Sequence, residues 1–393
     1  MHPIILFIGF FFFAVAYNLI GPLATNIMQT TGLTLTESGS LVSFQQIGAL
    51  LSMIASLVLM KKLKQSTVAK IGYLFLILAL TGIAFSTGNI ALFIFYLVLG
   101  LGTFLIDSGS NAALAGDYYE KRSLYIPLLH FCYSAGAIAT GYLILPFKGS
   151  DWPWAYAMIG IILLAILLVG TVEQKLRRKR DAETKMNLEE SSPEMIQAGP
   201  ILPILKDKPF IIYTAVIMLY MGSQVVCAAW IPVYVEIELV QPAAITATSL
   251  TVFWVGTAIS RLIAGPLMNK GEKPFNLSIY GMVLAGLSLV MATLSSHIYA
   301  VLFFVMLCGF FAGATIPMYI VITSTWYPRN TAFISLSYIL AGTIGRMIFP
   351  WLVTVIGSFT SLGFALLISS GLFFISAVLI LLVKRLVADR PSF

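Results

Sequence analysis

Apolar runs follow one another along this 393-residue chain, separated by brief polar breaks. A helix needs about 20 predominantly apolar residues to cross the hydrocarbon of a bilayer. Twelve such runs occur, at about 4–26, 38–60, 67–86, 90–115, 124–146, 153–172, 209–234, 244–268, 276–296, 299–323, 330–356 and 361–383. The breaks are short and polar, as in Ser86-Thr87-Gly88-Asn89 and Lys148-Gly149-Ser150-Asp151. The runs lack the alternating pattern of a membrane barrel and are about twice as long as barrel strands. The first run has no basic region before it and no small-residue cleavage site, so a retained helix is expected rather than a signal peptide.

One long hydrophilic stretch, 173–208, divides the chain. The expected organisation is an N-terminal six-helix bundle over 1–172, a cytoplasmic linker over 173–208 and a C-terminal six-helix bundle over 209–393. The linker opens on the basic run Lys175 to Arg180, which either is solvated or lies on anionic headgroups. The halves repeat one another. An offset of 208 brings Gly48 onto Gly256, Ser52 onto Ser260 and Lys62 onto Lys270; an offset of 209 brings Gly72 onto Gly281, Gly100 onto Gly309 and Tyr118 onto Tyr327. Single identities are weak, and the near-constant offset is the signal. The chain therefore reads as an all-α membrane protein whose twelve transmembrane helices form two six-helix pseudo-repeats.

Composition agrees: 59% of residues are hydrophobic and 10% charged, against about 25% charged in soluble domains. The net charge of +7 takes its meaning from its distribution. With the N-terminus inside, twenty Lys and Arg and eleven acidic residues fall on the cytoplasmic side, a net +9. Lys148 stands opposite with Glu37, Asp151, Glu236 and Glu238, a net −3. This bias places both termini in the cytoplasm of a multi-pass plasma-membrane protein and gives no support to nucleic-acid binding. Cys132, Cys227 and Cys308 all lie in apolar runs and are expected to pack as small hydrophobes.

Four ionisable side chains remain inside the spans: Asp107, His130, Arg261 and Arg346. Such groups are costly in hydrocarbon and mark function by default. Asp107 is the one carboxylate in any span, with Asn111 four residues on and on the same helical face. Burial disfavours its charged form, so it can take up and release a proton as its exposure changes; the alternative is a structural tie to Arg or His. His130 can pair with Asp107, hydrogen-bond a polar solute, or simply pack. Arg346, near midplane depth, either recognises an anionic or hydroxyl-rich solute through its planar fork or neutralises Asp107. Arg261, nearer the cytoplasmic end, is expected to snorkel or to latch a gate. Asn18, Gln45, Gln46, Tyr133, Tyr220, Gln224, Trp230, Trp254 and Tyr338 supply amide hydrogen bonds and aromatic faces for a solute site. No Walker loop, metal-ligand spacing or nucleophile–base constellation is present, so neither an enzyme nor a cofactor is expected.

Two equivalent six-helix halves joined by a basic loop resemble the major facilitator superfamily, across essentially the whole chain. Short segments resemble its fucose–proton symporter group. The stretch Ala16-Tyr17-Asn18-Leu19-Ile20-Gly21-Pro22-Leu23 is similar to that group's first-span motif, and Asp107-Ser108-Gly109-Ser110-Asn111 to its acid-x-x-x-Asn motif. His130 and Tyr133 fall where that group places substrate-binding amides, and Tyr220 through Trp230 resembles its seventh-span signature. Asn18 stands where that group carries an acid, which leaves Asp107 to carry a coupling proton. The Gly-Pro signature of drug–proton antiporters is missing from the fifth span, and Arg346 has no counterpart in the sugar group. The resemblance implies a major facilitator fold with a solute site between the halves. The expected function is import of a sugar or related small polar solute by proton symport. Efflux of a drug or organic anion is the alternative. The expected partners are a small-molecule substrate, protons and membrane lipid, with the protein acting as a monomer.

Overall fold

The computed structural model describes residues 2–118, 121–184, 199–269 and 274–388, and every regular element in them is helical. The first half comprises α1 (Pro3–Asn18), α2 (Ile20–Thr31), α3 (Leu35–Lys62), α4 (Gln65–Ala84), α5 (Asn89–Asp117), α6 (Arg122–Leu143) and α7 (Trp152–Thr184). A short α8 (Leu202–Lys206) precedes the second half. That half comprises α9 (Lys208–Ile237), α10 (Ala243–Asn269), α11 (Pro274–Leu294), α12 (Ile298–Ala312), α13 (Thr315–Trp326), α14 (Thr331–Phe359), α15 (Leu362–Ser369) and α16 (Gly371–Leu386).

Among the described residues, ten continuous helical segments are long and apolar enough to cross a membrane, and the bent pair α1–α2 is an eleventh. The twelfth expected span, α6, has 22 residues, about 33 Å at helical rise. His130, Tyr133, Ser134 and Thr140 interrupt its apolar run. The sequence places the end of the sixth span at 172, whereas α7 runs on to Thr184. Residues 173–184 hold no Gly or Pro and are rich in Glu, Gln, Lys and Arg, all good helix formers. Charge does not stop a helix that has left the hydrocarbon.

Prolines shape the spans that matter for the site. Pro22 has no N–H to offer the Asn18 carbonyl, and the first span bends by 44° there. Pro350 likewise frees the Arg346 carbonyl inside α14. Two acidic residues of the face poor in basic residues turn out to cap helices. Glu37 accepts from the Thr34 backbone N–H at 2.8 Å while Thr34 Oγ1 accepts from the Glu37 N–H at 3.2 Å, a reciprocal cap on α3. Glu238 accepts the N–H groups of Leu362 and Gly363 at the start of α15.

The repeat persists in the packing. A Cβ added to Gly48 of α3 would strike the Leu97 carbonyl oxygen of α5, and one on Gly100 would strike the Gln45 carbonyl. In the second half Gly256 of α10 meets the Met306 carbonyl of α12, and Gly309 meets that of Phe253. Met306 and Phe253 correspond to Leu97 and Gln45 under the same offsets. Both halves therefore cross an equivalent pair of helices backbone to backbone, as small residues permit in a lipid environment that supplies no hydrophobic drive between helices.

The halves meet at the face poor in basic residues. Ser43 Oγ donates to the Met347 carbonyl at 2.7 Å and Thr251 Oγ1 to the Ile138 carbonyl at 2.8 Å. Tyr142 and Thr248 share a hydroxyl–hydroxyl bond of 2.8 Å, and Lys148 Nζ pairs with Glu236 at 2.5 Å. Toward the basic face, among the described residues, no comparable packing joins α5 to α13.

Because the Gly–carbonyl crossings leave no room for a side chain, Gly100→Val and Gly309→Val should each destabilise the protein by about 1–3 kcal/mol or more. Melting of the detergent-solubilised protein checks this, with Gly116→Ala as the control, since nothing lies within 4 Å of a Cβ there. Equal melting temperatures for all three variants would contradict the packing described.

Candidate functional site

A cavity of about 580 Å³ lies between the halves, within the range of small-molecule sites. The face of α5 that reaches it is chosen by glycines on its other faces. Gly102 and Gly109 press one such face against α4, while Gly100, on the cavity side a turn before Thr103, meets α3. Thr103, Phe104 and Asp107 are left facing the cavity. Asn111, one turn on, donates Nδ2 to Asp107 Oδ1 at 3.0 Å and to the Asp107 carbonyl at 2.9 Å. Asn111 itself does not line the cavity; it holds the carboxylate. Asp107 makes no ion pair within 4.0 Å with a described residue, so neither the tie to Arg nor the tie to His is formed. It stands in electrostatic reach of His130 and Arg346.

Facing it on α14 are Tyr338, Thr343 and Arg346. Gly342 and Gly345, on the adjoining flank of α14, press it onto Met221 and Met218 of α9. Arg346 Nη2 donates to Thr343 Oγ1 at 3.2 Å, and its Nε is buried without a described acceptor. Arg261 is in the cavity wall as well. Its Nε points at the Gly313 carbonyl at 3.4 Å, beside the break between α12 and α13 where carbonyls lose their helical donors. It is also close to the Tyr220 hydroxyl and within electrostatic reach of His130. His130 is exposed to the cavity and sits edge-on to Phe10, with ring centroids 5.9 Å apart.

Amides and aromatics complete the lining. Asn18, Gln45, Gln46 and Gln224 all reach the cavity. Gln46 Nε2 donates to the Tyr17 hydroxyl at 3.1 Å, and Asn18 Nδ2 to the Ala14 carbonyl at 2.8 Å. Tyr133 is the hub of the aromatic wall, its ring centroid 5.6 Å from Phe13 and 6.2 Å from Trp254. Two other sequence candidates do support work instead. Tyr220 is fully buried and accepts Gln224 Nε2 at 3.1 Å. Trp230 is fully buried and donates its indole N–H to the Pro350 carbonyl at 3.0 Å, so it ties α9 to α14 at the proline. Phe10, Phe13 and Tyr17 line the cavity and were missed. They recur at i, i+3 and i+7 on one helical face, but α1 is apolar on all sides and the stripe does not stand out.

Comparison with known proteins agrees with this architecture. A homologue of protein TsgA from Buchnera aphidicola subsp. Schizaphis graminum is 24% identical over 95% of both chains. One from Citrobacter koseri is 22% identical over 84% of this chain and 80% of its own. Among solved structures, a bacterial homologue of the human lysosomal transporter Spinster, inward-facing and occupied, superposes with a TM-score of 0.80 at 13% identity, covering 99% of this chain and 98% of its own. The nucleoside transporter NupG superposes with a TM-score of 0.76 at 12% identity, covering 98% and 100%. Residues 6–270 and 242–392 match the sequence profile of the Major Facilitator Superfamily. With a solute-sized cavity between two repeated helical halves, the chain belongs to the major facilitator superfamily and is a multi-pass membrane transporter of a small solute.

Proposed function

We propose that the chain imports a sugar or related small polar solute together with a proton, and that Asp107 carries the proton. The observation that carries this reading is the placement of Asp107 in the wall of the central cavity, held by Asn111 and paired with no described cation. A carboxylate already neutralised by an Arg gains little from a proton. An unpaired one must be protonated when water is withdrawn from it and can ionise when water returns. The amides of Asn18, Gln45, Gln46 and Gln224 offer hydrogen bonds to hydroxyl groups. Tyr133, Trp254 and Tyr338 offer ring faces against which a sugar ring packs.

The distribution of Lys and Arg supports a plasma-membrane orientation with both termini in the cytoplasm. In that orientation the contacts through Ser43, Tyr142, Lys148 and Thr251 seal the outer side, and the cavity opens inward. The bundles 1–172 and 209–393 then rock about the cavity, linked by the segment between them. A monomer in lipid suffices, because both walls of the cavity come from one chain.

Two experiments test the reading. In proteoliposomes, Asp107→Asn should abolish accumulation driven by a pH gradient while sparing exchange of preloaded solute. Undiminished uphill uptake by that variant would remove Asp107 from coupling. Separately, Tyr142→Cys with Thr248→Cys in a Cys132→Ser background should be cross-linked by a short bis-methanethiosulfonate reagent that spans the space left by the tyrosine ring, and stop transport, with recovery on reduction. A cross-linked protein that transports at the uncross-linked rate would overturn the rocking of the halves.

A further inference from the structure

The walls of the cavity differ in charge. Asp107 and His130 stand on the first half, Arg261 and Arg346 on the second. No described carboxylate lies within 4.0 Å of either guanidinium. Arg346 places one N–H on Thr343 and keeps a buried Nε without a described acceptor; Arg261 has the Gly313 carbonyl at 3.4 Å and the Tyr220 hydroxyl nearby, but no anion. Trp254, on the same cavity, also has a buried indole N–H with no described acceptor. Guanidinium and indole groups donate and never accept. A buried donor left unpaired is costly, so what this wall lacks is acceptor oxygen, and beside two guanidinium groups the favoured acceptor is an anion.

Resting on the proton-coupled reading above, we propose that the solute is a hydroxylated carboxylate, held at its carboxylate by Arg346 and Arg261 and at its hydroxyls by Asn18, Gln45 and Gln46, and that it binds together with a proton on Asp107. The groups around Asp107 explain the pairing. His130 and Tyr133 face it from α6, and Arg346 and Tyr338 from α14. Near it, α1 contributes Tyr17 to the cavity and α3 the neutral amides Gln45 and Gln46. An ionised Asp107 competes with the incoming carboxylate for Arg346 and repels it; a protonated one does neither. Proton and anion thus raise each other's affinity by the same factor, as linkage requires.

Charge in the cavity also balances. With His130 neutral, the empty carrier with ionised Asp107 holds a formal +1, from two guanidinium groups and one carboxylate. The carrier loaded with proton and anion holds +1 as well. The half-loaded forms hold +2 or 0. The two forms that must reorient carry equal charge, so neither meets an extra electrostatic barrier.

The test uses the full-length detergent-purified protein and matched pairs of probes: D-gluconate with D-glucitol, D-glucuronate with D-glucose, and D-galacturonate with D-galactose. Binding is read from the melting temperature against probe concentration at pH 6 and pH 8. The expected result is that an acid stabilises the protein while its neutral partner does not, and that it binds more tightly at pH 6. Arg346→Gln should weaken that binding at least about tenfold, the loss of one charged hydrogen bond. Arg346→Lys, which keeps the charge, should retain part of it and shows that the site folds. Asp107→Asn should bind the acid with no difference between pH 6 and pH 8. If no acid binds, or the neutral partners bind equally well, the anion inference falls, and pH-dependent binding of a neutral partner would leave the symport reading standing. Acid binding that is equal at both pH values in the unmodified protein overturns the joint binding with a proton.

Discussion

Hydrocarbon cannot hold an unpaired charge, and the rest of this structure answers that constraint. Asp107, Arg261 and Arg346 lie in spans, yet none is paired with an opposite charge within 4.0 Å among the described residues. They persist because all three line one cavity between the halves, where water and solute replace lipid. The cavity in turn depends on helices that stay closed on themselves while standing apart from one another. Within each half, Gly–carbonyl crossings bind α3 to α5 and α10 to α12 without side chains between them. Between the halves, packing is concentrated at the face poor in basic residues, and the middle is left open.

A symmetric frame carries asymmetric chemistry. The repeat counterpart of Asp107 is Ile316, and both line the cavity; the counterpart of Gln46 is Trp254, and both line it too. The counterpart of Arg261 is the buried Met53. The framework glycines are kept in both halves while the working side chains are not. One wall therefore holds the acid and most of the amides, the other holds the cations. A solute lying between them touches both halves at once, so its binding can bias their relative position.

Much of this was legible before any coordinates. Span positions follow from the length of apolar runs, because backbone polar groups in lipid allow nothing but a helix there. The repeat is visible as near-constant offsets of glycine, and those same glycines prove to be the crossing points. Asp107, His130, Tyr133, Gln224, Tyr338 and Arg346 could be named because polar groups are conspicuous in apolar helices. The supporting roles of Asn111, Tyr220 and Trp230 were not legible. Each sits within a turn of a cavity residue or against a neighbouring helix, and sequence spacing does not say which of two adjacent faces looks inward.

The sequence by itself determined the all-helical membrane plan and its internal repeat, the bias of charge between the two faces and the short set of groups able to do chemistry. These depend on local properties, namely run length, periodicity and the presence of a charge. Only the tertiary structure decided which of those groups share a cavity, that Asp107 has no ion-pair partner among the described residues, and that Arg261 joins Arg346 on the opposite wall. Those outcomes depend on helix rotation, on a break in the tenth span and on the angle at which two halves meet. Each is set by contacts between residues far apart in the chain, which no local pattern records.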